Sequence, residues 1–99
     1  MIARHWTGLA KKERADEYIL HLQNDTFKKI GAINGFISSK ILYRELPEGT
    51  EFLVITEWEN IEAIKEFAGN DFNIAVVPQL VKEIMIRYEH EVKHYKIVA

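Results

Sequence analysis

Two histidines and two tyrosines crowd into the C-terminal stretch RYEHEVKHYKIV, with Glu89 and Glu91 between them. Side chains of these types suit a metal site or proton transfer, and backbone geometry decides which is open to them. In an extended chain Tyr88, His90, Val92 and His94 share one face, while Glu89, Glu91, Lys93 and Tyr95 take the other. His90 and His94 then stand about 13 Å apart at ~3.3 Å per residue, too far for one metal with bonds of ~2 Å. On a helix the same spacing would make a ligand pair; on a strand it does not. The stretch reads as a long strand whose end projects past its own subunit, and no metal is expected. His94 and Tyr95 are proton-transfer candidates only where that strand lines a pocket. The apolar phase slips between Val92 and Ile97, which marks a bulge or a change of environment.

The elements that must position such groups follow from periodicity. Ile2–Gly8 is a strand of β-branched and aromatic residues stopped by Gly8. Ala15, Tyr18, Ile19, Leu22, Thr26 or Phe27, and Ile30 recur at steps of three and four. They predict an amphipathic helix from about Lys11 to Ile30, ended by Gly31 and weak at Gln23–Asp25. Asn34-Gly35 turns the chain into a strand, Phe36–Leu46, which a Pro47–Thr50 hairpin joins to Glu51–Glu59, with Gly49 in a left-handed position. Asn60 caps a second helix through about Ala68, with Ile61, Ile64 and Phe67 on one face and Gly69 at its end. Asn70–Glu83 reads as short helical turns broken at Pro78, and the final strand runs from about Ile84. The order β-α-β-β-α-β predicts an α+β, ferredoxin-like fold: a four-stranded antiparallel sheet with both helices on one face.

Composition excludes more than it selects. Ninety-nine residues make one domain, residues 1–99, and 47% hydrophobic with 28% charged residues is ordinary for a globular chain. A net charge of −2 with interspersed signs leaves no footprint for nucleic acid. No apolar run reaches the ~20 residues that cross a bilayer, and MIARHWTG lacks the pattern of an export signal. Cysteine is absent, which excludes disulfides and thiolate chemistry and fits the cytoplasm.

The third strand is apolar on both sides, with Phe52, Val54, Thr56 and Trp58 pointing one way and Leu53 and Ile55 the other. On the second strand Ile37, Ile41 and Tyr43 oppose Phe36 and Leu42. Two helices cover one face of a four-stranded sheet. The other face is too apolar to stand in water, so a homodimer packed sheet to sheet is expected.

Three stretches carry a family resemblance: MIARHWTG, FLVITEWENIEAIKEFAGND (Phe52–Asp71) and EHEVKHYKIV (Glu89–Val98). The most specific is the strand ending in tryptophan and followed at once by a helix with Ala63 and Phe67. With the element order, they make the chain resemble the antibiotic biosynthesis monooxygenase family of dimeric α+β barrels over nearly its whole length. The resemblance implies the sheet-to-sheet dimer, and a pocket in each subunit between sheet and helices. It also implies cofactor-independent oxygenation of a small hydrophobic, polyketide- or quinol-like compound. In that chemistry the deprotonated substrate supplies the electrons to oxygen. The protein binds a flat molecule, removes a proton and stabilises the anion in a dry cavity.

The resemblance turns Ala3, His5 and Thr7 toward the helices and makes His5 the expected base or hydrogen-bond donor. Arg4 and Trp6 then face the dimer, Arg4 against a carboxylate. Trp58 is the expected catalytic-pocket wall stacking on the ligand, and it would serve equally as a core aromatic. Tyr18, Phe52, Val54, Thr56, Phe67 and Val77 are the expected lining, with His21 on a solvated face. A related branch degrades heme using an asparagine, a tryptophan and an iron-ligating histidine. Those positions fall here on His5, Phe67 and Val77, and valine cannot ligate iron, so heme degradation is not expected. A non-catalytic small-molecule-binding or scaffold dimer of the same fold is the alternative reading.

Overall fold

In the computed structural model, which describes residues 1–99, β1 (Ile2–Ala10) and β3 (Gly49–Trp58) pair antiparallel without a break. The ladder runs from Ile2 opposite Trp58 to Ala10 opposite Thr50. β2 (Phe36–Leu46) pairs with the outer edge of β3, and β4 (Met85–Tyr88) and β5 (Lys93–Lys96) both pair with the far edge of β1. The sheet order β2-β3-β1-β4 is the ferredoxin-like one expected from the element order. β2 takes a bulge between Phe36 and Ser38, which puts Phe36 on the same side as Ile41 and Tyr43 rather than opposite them.

The expected single final strand is two strands. Gly8 faces Tyr88 and His5 faces Lys93, so five residues of advance on one strand match three on the other. Two residues are therefore looped out between β4 and β5. The number is even, so Tyr88 and His94 stay on one face. The loop is satisfied elsewhere: Ala75 N donates to His90 O at 2.9 Å and Val92 N to Asn73 O at 2.8 Å.

One helical run covers the inward face. It comprises α1 (Ala15–His21), a π-helical segment (Leu22–Thr26) and α2 (Phe27–Gly31), so the weak Gln23–Asp25 stretch falls inside the π segment. Inward residues Tyr18, Leu22, Thr26 and Ile30 lie four apart, a spacing that drifts by about 40° per step in a regular α-helix. The π turn inserts the residue that offsets most of that drift, holding all four over the sheet. α3 (Ile61–Ala68) starts at Asn60, whose Oδ1 accepts from Ala63 N at 2.9 Å, and stops at Gly69, where φ is 83°. α4 (Gln79–Ile84) begins directly after Pro78. No helix is long and apolar enough to cross a membrane.

The core forms two clusters. Phe52, Tyr18, Leu22, Val54 and Ile84 belong to one, with Ala10, Val81 and Met85; Trp58, Ile30, Ala63 and Ile64 make the other, with Trp58 fully buried. Gly49 does not take a left-handed conformation. Its lack of a side chain is needed because a Cβ there would sit 2.5 Å from Ala10 O. Gly35 does take one, at φ +98°, and a Cβ there would lie 2.7 Å from Ala63 Cβ. Gly35→Ala should lower the unfolding free energy by about 1–3 kcal/mol in a urea titration. Gly31→Ala, in open space at a helix end, should leave it unchanged or raise it by up to about 1 kcal/mol.

Candidate functional site

Between the helical run and the inward face of β1 and β3 lies a half-open cleft of about 70 Å3. Arg4 and Trp6 from β1 and Val54 and Thr56 from β3 form its floor. Tyr18, Leu22, Thr26, Phe27 and Ile30 form the roof, and Phe67, Val76 and Val92 close its ends. A cavity of about 150 Å3 is what encloses a single benzene ring. Any larger flat molecule would have to protrude through the mouth or lift the helical run.

Aromatic rings hold one end. The Trp6 ring lies 6.0 Å from that of Tyr18 and 6.2 Å from that of Tyr88, and its Nε1 donates to Glu89 O at 2.9 Å. The indole folds over Gly8: a Cβ on that glycine would come within 2.5 Å of Trp6 Cη2. Tyr18 packs edge-on against Phe52, and burial pushes its phenol well above the usual range, so it stays protonated. Its hydroxyl bonds to no protein atom, and no polar side-chain atom shut off from solvent lacks a partner. That oxygen is therefore reached by solvent.

The polar end is Arg4, which is only 5% exposed. Its Nη1 donates to Phe72 O at 2.5 Å and meets His94 Nε2 at 3.1 Å, and its Nη2 donates to Ile74 O at 3.3 Å. The guanidinium also lies 5.7 Å from the centre of the Phe67 ring. Burial lowers its pKa to about 10, which leaves it charged at neutral pH. An arginine has no acceptor, so His94 Nε2 must accept and the imidazole is the neutral Nδ1–H form. Burial, and next the charge of Arg4, hold the His94 pKa below the ordinary histidine value.

Residues 1–72 match the family model for antibiotic biosynthesis monooxygenases. The chain belongs to that family. The match spans β1 through α3 and stops before Val76, Val92 and His94. A Bacillus cereus protein named as a candidate antibiotic biosynthesis monooxygenase has a similar crystal structure, with a TM-score of 0.68 and 18% identity. The likeness covers 99% of this chain and 91% of that one, and at this identity it speaks for the fold alone. No match is found among curated proteins.

In this family member, four of the residues expected to line a pocket do so: Tyr18, Val54, Thr56 and Phe67. Phe52 and Trp58 face inward as expected but lie fully buried beneath the lining. Trp58 instead donates from Nε1 to Thr56 Oγ1 at 2.8 Å. Val77 packs on the core, and its neighbour Val76 lines the cleft.

His5 requires a correction. The β1 register puts it opposite Ile55, on the face away from the helices, where its ring lies 4.9 Å from that of Tyr95. Arg4 and Trp6 occupy the inward positions expected for His5 and its neighbours, and Arg4 has no carboxylate partner. His21 is also not solvated, since its side chain is 10% exposed and Nε2 lies 3.4 Å from Thr26 Oγ1. His90 packs beside Tyr88 at 4.9 Å while His94 packs on Phe72, and no three His, Asp or Glu side chains converge.

A lowered histidine pKa in the folded state means that the unfolded chain binds the proton first as pH falls. The stability held above about pH 6.5 is therefore lost progressively as pH drops below that value. His94→Gln should flatten part of the fall in Tm between pH 7 and pH 5.5, read by circular dichroism. The burial-lowered His5 leaves a residual slope in the variant.

Proposed function

We propose that this protein is a monooxygenase acting, without a bound cofactor, on a small flat hydrophobic compound of quinol or polyketide type seated in the cleft. The observation that carries the reading is a mostly apolar cleft, walled by Trp6, Phe27 and Phe67, with one buried guanidinium at its end. In the reaction, two hydrogens on a substrate carbon give way to one oxygen atom of O2, and the second oxygen leaves as water. The substrate anion provides the electrons. The apolar walls exclude water and orient the ring, and Arg4 stabilises negative charge where few other groups do.

The same proposal includes a homodimer, and a cytoplasmic location for this cysteine-free chain. The sheet face away from the helices carries Leu53 and Ile55 at its centre, flanked by Leu42 at 44% and Tyr95 at 50% exposure. Apolar groups so grouped are better covered by a twin sheet than by water. One observation favours the alternative of a non-catalytic binding dimer: no carboxylate or imidazole lines the cleft to take a proton.

Oxygen consumption with a panel of hydroxyquinones and dihydroxynaphthalenes tests the oxygenase reading. Wild type should consume oxygen with at least one of them. Val76→Trp, at an exposed position of the mouth, should cut that rate at least about tenfold through steric exclusion. No uptake across the panel favours the binding dimer. Light scattering at micromolar concentration should give twice the chain mass, and Leu53→Asp should give the single-chain mass.

A further inference from the structure

We propose that the cleft seats an anionic oxygen carried on a flat apolar body (a phenolate, enolate or carboxylate) against the free edge of Arg4, with the Thr56 hydroxyl as a second donor. This rests on reading the cleft as the ligand site and is independent of oxygenation.

The donor count on Arg4 comes first. A guanidinium has five N–H groups. Two on Nη1 are taken by Phe72 O and His94 Nε2, and one on Nη2 by Ile74 O. The Nε–H and one Nη2 hydrogen are left, and Nε with Nη2 forms the side-on fork that matches two lone pairs of an oxyanion. Nε bonds to no protein atom, and no polar side-chain atom closed to solvent is unpaired, so Nε keeps contact with solvent, and the cleft is the space that Arg4 lines.

The charge count comes second. All ion pairs in the chain involve other residues, so the positive charge of Arg4 is buried with carbonyl dipoles and a neutral imidazole around it and no anion. Two carbonyls hold a cation in place without neutralising it. The guanidinium is fixed from behind by residues 72–74 and His94 and from one side by the Phe67 ring, so its free edge is already ordered.

Thr56 supplies a second donor from the neighbouring strand. It stands directly opposite Arg4, where facing Cβ atoms lie about 4.5–5.5 Å apart. Its Oγ1 accepts from Trp58 Nε1, and its own hydrogen finds no acceptor in the protein. Trp58 is thus a positioning residue that turns the threonine hydroxyl into a donor aimed at the cleft. The lining offers one cation, no base and mostly carbon, which suits a single negative charge on a ring system and not a phosphate ester. A ligand of this class arrives ionised, or is ionised because Arg4 lowers its pKa.

The test uses the full chain, with 2-naphthoate and its neutral counterpart 2-naphthalenemethanol as probes. Calorimetry on wild type should show naphthoate binding tighter by about tenfold or more, the range of a hydrogen bond to a charged group. In 15N-labelled protein the Arg4 Nε–H resonance should shift with naphthoate and not with the alcohol. Arg4→Gln should erase the preference and leave the alcohol within about twofold, and Trp58→Phe should narrow it several-fold. Where Arg4→Gln does not fold, the wild-type resonance decides. Bound 2-naphthol should show the naphtholate absorption band below its free-solution transition; the naphthoate preference without that band assigns the seat to carboxylates. Equal or weaker naphthoate binding, an unmoved Arg4 resonance, or binding of neither probe at millimolar concentration overturns the proposal. The naphthoate preference without oxygen uptake on the quinone panel removes the oxygenase alone. Oxygen uptake on the quinone panel together with equal affinity for naphthoate and the alcohol removes the anion seat alone.

Discussion

The unbroken ladder between β1 and β3 decides which side chains of this protein line the cleft. Side chains on a strand alternate, so sliding β1 by one residue would exchange Arg4 and Trp6 for His5 and Thr7 across the whole inward face. The register is held at several points. Ile2 opposite Trp58 anchors one end in the second core cluster. At the other end Gly49 approaches Ala10 too closely for any side chain, and Gly8 yields its space to the indole of Trp6 and the sulfur of Met85. Each contact is local, yet together they fix one phase over nine residues.

Much of the fold is legible in the sequence because its signals are local. The four-residue recurrence over α1 and α2, Asn60 as cap, Gly35 and Gly69 at positive φ, and the alternation of β3 each follow from side-chain chemistry within a few residues. The features that periodicity misses depend on distant partners. The break between β4 and β5 arises because His90–Val92 leave β1 to bond with Asn73–Ala75, a pairing that no periodicity announces. Phe36 falls on the opposite side from the one its alternation predicts because a bulge at the start of β2 resets the phase. Gly49 serves close packing rather than the turn conformation its setting suggests.

For the site, β3 is readable and β1 is not. Val54 and Thr56 follow from an alternation in which aromatic and β-branched residues mark the buried side. On β1 both faces carry one aromatic or heterocyclic ring among small residues, and hydropathy puts arginine in water. Burial of Arg4 is stabilised by carbonyls some seventy residues away and by His94, none visible locally. One signal is present: Trp6 and Gly8 share a face, and a glycine beside a large ring marks the side where the ring lies down on the sheet. The same face then takes Arg4.

The π-helical segment has a consequence for how this cleft can change. Re-forming Leu22–Thr26 as ordinary α-helix at unchanged chain length would rotate everything after it by about 100°. Phe27 and Ile30 would swing off the roof together, though neither had been substituted. The caliber of the chamber is thus set by the winding of one turn, a variable that can be altered without substituting any wall residue.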